Sequence, residues 1–285
     1  MDSTATSLSG ASLGGHINAP VNYLVPTGER PYSYQYEPPP GVPLRKGQYA
    51  AQTVPMHDGR ALIDTLSLDR HGFELRTHAS AISDFRDDDL IRTRYYPEVA
   101  QLVKNTTGAA RVLVFDHNVR LGATDRPNGI REPVKRVHND YTEVSAPQRI
   151  RDLMGDEAEA LLRHRYVFIN VWRPIREPVL TSPLAVCDAQ SVAPEDLIAS
   201  ELRYRDRTGE TYAFSYSPRH RWFYFPKMRR NEALFLKCFD SATDGRARMT
   251  AHTAFDDPTV PADAPPRESI EARTIAFFAP DHATR

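Results

Sequence analysis

The sequence predicts a mainly β protein, an antiparallel sandwich or barrel with helical support on its N-terminal side. From about residue 166 onward, short segments rich in aromatic and β-branched residues follow one another with no helical pattern between them. Turn-forming clusters such as 206–209 and 240–245 separate these segments. This spacing is typical of antiparallel sheets rather than of a parallel sheet. The expected strands are 166–172, 201–204, 211–216, 221–225, 232–239, 246–255 and 269–278.

Composition places the chain among ordinary globular proteins. Of its 285 residues, 40% are hydrophobic and 26% are charged, which excludes a fibrous or wholly disordered chain. No apolar run approaches the roughly 18–20 residues that span a bilayer, so no membrane partner is expected. The first residues lack the basic and apolar regions of a secretory signal. We therefore expect a cytoplasmic protein.

Charge and cysteine content exclude three further classes of protein. The chain has 36 basic and 37 acidic residues and no basic block, so a nucleic-acid partner is not expected. Cys187 and Cys238 are the only cysteines, and no metal-binding cysteine spacing is present. We expect two reduced, buried thiols and neither a disulfide framework nor a structural zinc site.

The N-terminal part reads as a tail followed by an extended arm. Residues 1–15 are rich in Ser, Gly and Ala and are predicted to be disordered. Prolines and tyrosines alternate through 20–55, which disfavours a helix and predicts an arm packed on a core, or reaching across a homodimer. The expected organisation is one domain over 16–285, with the arm and helices at about 16–110 and the β core at about 111–280.

Three local patterns lie between the arm and the β-rich half. Alternating apolar residues around a turn predict a hairpin over 65–75. Helical spacing over 87–104 stops near Gly108, and a buried strand is expected at 112–115. A capping-box pattern at 145–148 precedes a second apolar helical stripe.

One sequence motif is suited to binding a metal ion. His138 and Asp140 are two residues apart, so on a strand their side chains point the same way. Two His and one carboxylate on one face are the ligands of non-haem Fe(II) sites, which leave the remaining positions open. A single His-x-Asp is expected by chance in a chain of this composition, so the motif alone favours a surface turn with a solvated His and Asp.

A second group of residues extends the pattern. His252 lies in a late strand, and Arg267 and Ser269 introduce the last one. The order His-x-Asp, long interval, His, Arg-x-Ser resembles the oxygenases dependent on Fe(II) and 2-oxoglutarate. Further short sequence motifs resemble those of the subfamily that contains the cephalosporin 7α-methoxylation component, aspergillic acid hydroxylase and gibberellin desaturase-like proteins. These phrases are 95–98, 170–174, Asp188, 220–222, 239–241 and 267–271.

The resemblance implies a double-stranded β-helix core of the jelly-roll, cupin-like kind. It also implies that His138, Asp140 and His252 bind iron, and that Arg267 with Ser269 holds the distal carboxylate of 2-oxoglutarate. A planar guanidinium suits that task because it matches a carboxylate with two parallel hydrogen bonds.

Two of these assignments have rivals in the sequence. Arg273 shares a strand face with Arg267 and can serve as the cosubstrate anchor instead. His220 competes with His252 for the third ligand position, with Lys237 as the corresponding anchor. We favour His252 because it leaves enough chain for one closing strand. Asn170 and Trp172 share a strand face and are candidates for contact with substrate or for core packing, as is Trp222.

The function implied by the resemblance is oxidation of a small, natural-product-like molecule. Fe(II), 2-oxoglutarate and O2 are the expected cofactors, the reaction is hydroxylation or desaturation, and succinate and CO2 are released. The alternatives are a non-catalytic or accessory β-barrel that acts with a partner enzyme, and a metal-dependent hydrolase or isomerase that needs neither 2-oxoglutarate nor O2.

Overall fold

The computed structural model describes residues 15–120 and 133–279; the predicted tail lies outside this range except for Gly15. Within it, two β-sheets face each other. The strands of the larger sheet are β1 (His16–Leu24), β2 (Tyr32–Tyr34), β3 (Arg45–Lys46), β4 (Tyr49–Asp58), β7 (His138–Asn139), β9 (Leu184–Cys187), β10 (Leu197–Arg203), β11 (Thr208–Phe214), β12 (Trp222–Tyr224) and β14 (His252–Ala254). The smaller sheet contains β5 (Phe73–Thr77), β6 (Arg111–Arg120), β8 (Tyr166–Pro174), β13 (Glu232–Asp240) and β15 (Ser269–Phe277).

The chain alternates between the two sheets. The larger sheet has the order β1-β4-β12-β9-β14-β7-β11-β10-β2-β3, and the smaller has the order β5-β13-β8-β15-β6. Strands β6 to β9 switch sheet at every step, as do strands β12 to β15. This winding makes a jelly roll, so the prediction of a mainly β protein with a double-stranded β-helix core is confirmed.

Three apolar layers hold the sheets together. The layer between the sheets contains large side chains from both, including Phe168, Trp172 and Phe223. A second layer lies between the smaller sheet and the helices, and a third packs β1 and β4 around Trp222. Alternate residues of β8 therefore divide between two layers, with Trp172 inward and Ile169 outward. Burial of both faces explains why β8 reads as a continuous apolar run.

The helices agree with the sequence in place but differ in detail. The first helical segment consists of α1 (Asp88–Leu90), a π-helical turn (Ile91–Tyr95) and α2 (Tyr96–Thr107), and it ends at Gly108, whose φ is +73°. The second consists of α3 (Ser145–Met154), a 3-10 turn and α4 (Ala158–Leu162). The predicted capping box is absent: the Ser145 hydroxyl accepts from the Thr142 backbone N–H at 2.9 Å.

One prediction for the N-terminal half is wrong, and the predicted extended arm proves to be part of a sheet. Residues 65–72 form turns rather than the first strand of a hairpin, because successive backbone bonds such as His71 N–H to Ser67 O wind the chain locally. Strand β5 pairs with β13 instead. The arm contributes four strands to the larger sheet, and β1 and β4 pair over nine residues.

The structure bears on the two expectations about the cysteines and about membrane-spanning segments. Cys187 and Cys238 are free and buried, as expected. In the described parts of the chain, no helix is both long and apolar enough to cross a membrane.

Candidate metal and cosubstrate site

The His-x-Asp pattern lies at the end of a two-residue strand on the inner face of the larger sheet. His138 belongs to β7 and Asp140 directly follows it, and the His138 Nε2 atom lies 3.7 Å from Asp140 Oδ1. Asn139 points the other way, and its amide donates to the backbone oxygens of Tyr141 and Cys238. The alternation expected of a strand therefore brings His138 and Asp140 together.

His252 reaches the same place from the neighbouring strand. In the antiparallel pair β7–β14, His252 lies directly opposite His138, so both side chains are on one face. Their ring centroids are 4.3 Å apart. One potential ligand atom from each of His138, Asp140 and His252 lies within 4.8 Å of the others.

Hydrogen bonds orient all three side chains. His138 Nδ1–H donates to Arg136 O at 2.8 Å, and His252 Nδ1 lies 3.4 Å from Thr250 O. Both rings therefore keep Nε2 for a metal, as is usual for histidine ligands. The amide of Asn170 donates to Asp140 Oδ2 at 2.7 Å, leaving Oδ1 on the histidine side.

The charge states also suit a cation. Burial and the neighbouring His252 lower the pKa of His138 to about 4, and burial also lowers the pKa of His252. Burial acts to raise the pKa of Asp140, but His252, His138 and Arg273 together hold this pKa below its usual value. At neutral pH the cluster thus offers two neutral imidazoles and one carboxylate, the forms that bind metal.

A polar row on the smaller sheet faces this cluster. Ser269 lies opposite Pro174 and Glu271 opposite Trp172 in the β8–β15 pair, so their side chains point between the sheets. Arg267 is 7% exposed, donates to Ser182 O at 2.6 Å and lies 5.5 Å from the Trp172 ring. Its Nε and the Ser269 hydroxyl are buried without a hydrogen-bond partner in the described parts of the chain.

The rival anchor is already paired. Arg273 Nε donates to Asp116 Oδ1 on β6 at 3.2 Å, and Arg273 Nη2 donates to the other oxygen of the same carboxylate. Arg267 has no such carboxylate partner among the described residues. The structure thus leaves Arg267 able to receive a carboxylate, whereas Arg273 is engaged.

Sequence reasoning missed two charged residues of this region. Arg120 lies directly opposite Ser269, and burial together with the charge of Arg120 lowers the pKa of Arg267. Burial and the nearby Asp140 raise the pKa of Glu271. The alternation of β6 would have revealed Arg120 had the predicted strand at 112–115 been extended to its true end.

The rival ligand set lies elsewhere. His220 Nε2 is 3.2 Å from Asp196 Oδ2, and His220 Nδ1 is 3.0 Å from the Tyr23 hydroxyl, which also accepts from Trp222. Lys237 donates to Asp69 at 2.7 Å and to Asp240 at 2.8 Å. The structure therefore brings neither His220 nor Lys237 into the cluster of His138, Asp140 and His252.

A cavity of about 960 Å³ opens onto the cluster. Asp140, Tyr141 and Arg273 line it, together with the β10–β11 hairpin and the first turns of α3. Asp140, whose side chain is 18% exposed, is the member of the cluster that lines this cavity. The volume lies within the range of pockets that take small molecules.

The residues present fit both groups that the sequence implies. Two imidazole nitrogens and one carboxylate oxygen within 4.8 Å of one another are a donor set for non-haem Fe(II). The unpartnered Arg267 Nε and Ser269 hydroxyl are donors suited to a carboxylate.

Comparison with known proteins finds relatives whose names include Fe(II) and 2-oxoglutarate. Residues 21–277 match a family model described as an oxidoreductase/YMDC permease-like domain. The Fe(II)/2-oxoglutarate-dependent dioxygenase nvfI of Aspergillus novofumigatus is 36% identical over 252 residues, covering 86% of this chain and 90% of the relative. The hydroxylase/desaturase efuI of Hormonema carpetanum is 33% identical, covering 81% and 85% respectively.

A solved structure shows the same architecture. The iron and alpha-ketoglutarate-dependent endoperoxidase NvfI superposes with a TM-score of 0.85 at 32% identity, covering 93% of this chain and 98% of that one. The predictions of a non-haem iron oxidoreductase and of Fe(II), 2-oxoglutarate and O2 as its cofactors are therefore confirmed. The chain belongs to the family of Fe(II)/2-oxoglutarate-dependent dioxygenases.

Proposed function

We propose that His138, Asp140 and His252 bind the iron of this dioxygenase, and that Arg267 and Ser269 hold the distal carboxylate of 2-oxoglutarate. The observation that carries the proposal is the convergence of three ligand atoms within 4.8 Å from two adjacent strands. The unpartnered donors of Arg267 and Ser269 support the second half.

The substrate that we propose is a small, natural-product-like molecule, which is hydroxylated or desaturated. Fe(II), when bound with 2-oxoglutarate and O2, supplies an oxidant that removes hydrogen from a substrate carbon, with release of succinate and CO2. The cavity of about 960 Å³ beside Asp140 is the substrate-binding site in this proposal. The relatives are named hydroxylase/desaturase and endoperoxidase, and both names denote oxidations.

The protein's own residues would bind the cation, orient the cosubstrate and exclude water. Two neutral imidazoles and one carboxylate would hold the cation and would leave its other coordination positions for cosubstrate and O2. Arg267, stacked near Trp172, holds one end of 2-oxoglutarate and so directs its other end towards the metal cluster. The buried ring of Trp172 and the apolar layer behind it keep bulk water out.

The test is an anaerobic titration of Fe(II) and 2-oxoglutarate into the apoprotein, followed by the weak visible charge-transfer band of the chelate. We expect a band only when both are present. His138→Ala and His252→Ala should abolish it. His164→Ala, which alters an exposed histidine, is the matched control and should keep the band.

Two other outcomes would change the assignment. Loss of the band in His220→Gln, with retention in His252→Ala, would move the third ligand to His220 and make Lys237 the anchor to test. A folded wild-type protein that gives no band would contradict the proposed site.

A further inference from the structure

Asn170 connects the two sheets at the cluster of His138, Asp140 and His252. It lies on β8 of the smaller sheet and is 1% exposed, whereas Asp140 follows β7 of the larger sheet. The amide of Asn170 donates to Asp140 Oδ2 at 2.7 Å. A single side chain from one sheet thus sets the orientation of a carboxylate held by the other.

The bond separates the two oxygens of Asp140. Oδ2 accepts from the amide, while Oδ1 lies 3.7 Å from His138 Nε2 on the side of the cluster. Rotation of the Asn170 amide by half a turn would place its oxygen against the ionised Oδ2, which is repulsive. The amide therefore has one favourable orientation, and that orientation depends on Asp140.

The other end of the amide has no partner. Asn170 Oδ1 is buried and accepts no hydrogen bond from the described parts of the chain. An unpartnered buried acceptor opposes folding, so an apolar side chain of similar shape would serve the fold better. The asparagine is explained by its contact with Asp140 rather than by packing.

We propose that Asn170 is a positioning residue that makes Asp140 a ligand through one oxygen only. This inference rests on the proposed function of the cluster. A carboxylate that bound a metal through both oxygens would occupy one of the positions that cosubstrate and O2 require. With Oδ2 held by Asn170, Asp140 presents Oδ1 alone.

The test uses Co(II), whose d–d absorption reports coordination number, as the probe in the absence of 2-oxoglutarate. Asn170→Leu keeps the size of the side chain and removes its donor. We expect its Co(II) affinity to fall by about 10- to 100-fold, the usual effect of losing a hydrogen bond to a ligand. The d–d spectrum should change as well. Asn170→Ser, which is too short to reach Asp140, should behave alike if the leucine variant does not fold.

Thr274→Val is the matched control. Thr274 is buried on the adjacent strand β15 and donates to Ile169 O at 2.8 Å, so its replacement removes one buried hydrogen bond without touching Asp140. It should bind Co(II) as the wild type does.

The outcomes distinguish the inference from the proposal beneath it. Wild-type affinity and spectrum in a folded Asn170→Leu would overturn the role of Asn170, as would an equal change in Thr274→Val. A wild-type protein that does not bind Co(II), or a His138→Ala variant that binds it equally well, would instead overturn the metal cluster itself.

Discussion

Replacement of Arg267 by methionine tests the carboxylate anchor. Methionine keeps an unbranched stem but has no charge or donor. Within the described residues, Arg267 donates to Ser182 O and stacks near Trp172, yet forms no salt bridge. Glu271 acts on its charge only without direct contact, so the distal carboxylate of 2-oxoglutarate would supply the hydrogen-bonded counter-charge.

The size of the effect follows from the number of bonds. A hydrogen bond to a charged group contributes about 1.5–3 kcal/mol, so two from one guanidinium contribute about 3–6 kcal/mol. At 1.4 kcal/mol per tenfold change, Arg267→Met should weaken 2-oxoglutarate by roughly 10²- to 10⁴-fold.

The assay is anaerobic calorimetry of the Mn(II)-loaded protein with two ligands. 2-Oxopentanoate has the 2-oxo acid end and the chain length of 2-oxoglutarate but lacks the distal carboxylate. In Arg267→Met, the affinity for 2-oxoglutarate should fall to that for 2-oxopentanoate, which itself should hardly change. Equal losses for both ligands would refute the reasoning. If Arg273→Met removes the preference instead, Arg273 is the anchor.

Two predictions concern stability. Burial acts to raise the pKa of Asp240, but Arg165 and Lys237 hold it below the usual value, so its stabilisation is present above about pH 4 and is lost as pH falls through the depressed pKa. Asp240→Asn should cost about 3 kcal/mol in urea unfolding at pH 7, and clearly less at pH 3; a constant difference would contradict this. Gly72 has φ of +84°, and a Cβ there would lie 2.9 Å from Thr250 Cβ. Gly72→Ala should therefore destabilise by about 2 kcal/mol or more, seen as a lower Tm, and an unchanged Tm would contradict the clash.

The sequence predicted those parts of the fold whose signal is local. Alternation and aromatic content identified β8, β13 and β15 almost to the residue. The four-residue strand β9 was missed because a short apolar run has no period. Strands β1 and β4 were hidden by Pro20 and Pro55. An edge strand tolerates a proline, and Pro55 lies just outside the pairing of β4 with β12.

The site was harder to predict because its geometry is set by register between distant strands. His138 and Asp140 are close in sequence, but only the β7–β14 pairing places His252 beside them. The difference between Arg267 and Arg273 depends on Asp116, whose carboxylate pairs with Arg273 and not with Arg267. No periodicity along a single strand carries that information.

Several phrases that resemble the family prove to be structural. Asp188 pairs with Arg221, and Asp240 pairs with Lys237 and Arg165, so both acids neutralise buried or half-buried cations. Function must therefore be argued from the cluster and not from the number of matching phrases.

Three buried polar atoms without a hydrogen-bond partner among the described residues lie at the site. They are Asn170 Oδ1, Arg267 Nε and Ser269 Oγ, and all lie on or beside the β8–β15 pair. Each opposes folding by about 1–3 kcal/mol, so ligand binding and apoprotein stability should respond in opposite directions. Ser269→Ala should raise the Tm of the apoprotein and shrink the further rise that 2-oxoglutarate produces in the Mn(II)-loaded form. Thr274→Val, which breaks a satisfied bond, should lower the Tm and leave the ligand-induced rise intact. A Ser269→Ala variant that loses apoprotein stability and keeps the full rise would show that the hydroxyl serves the fold and not the cosubstrate.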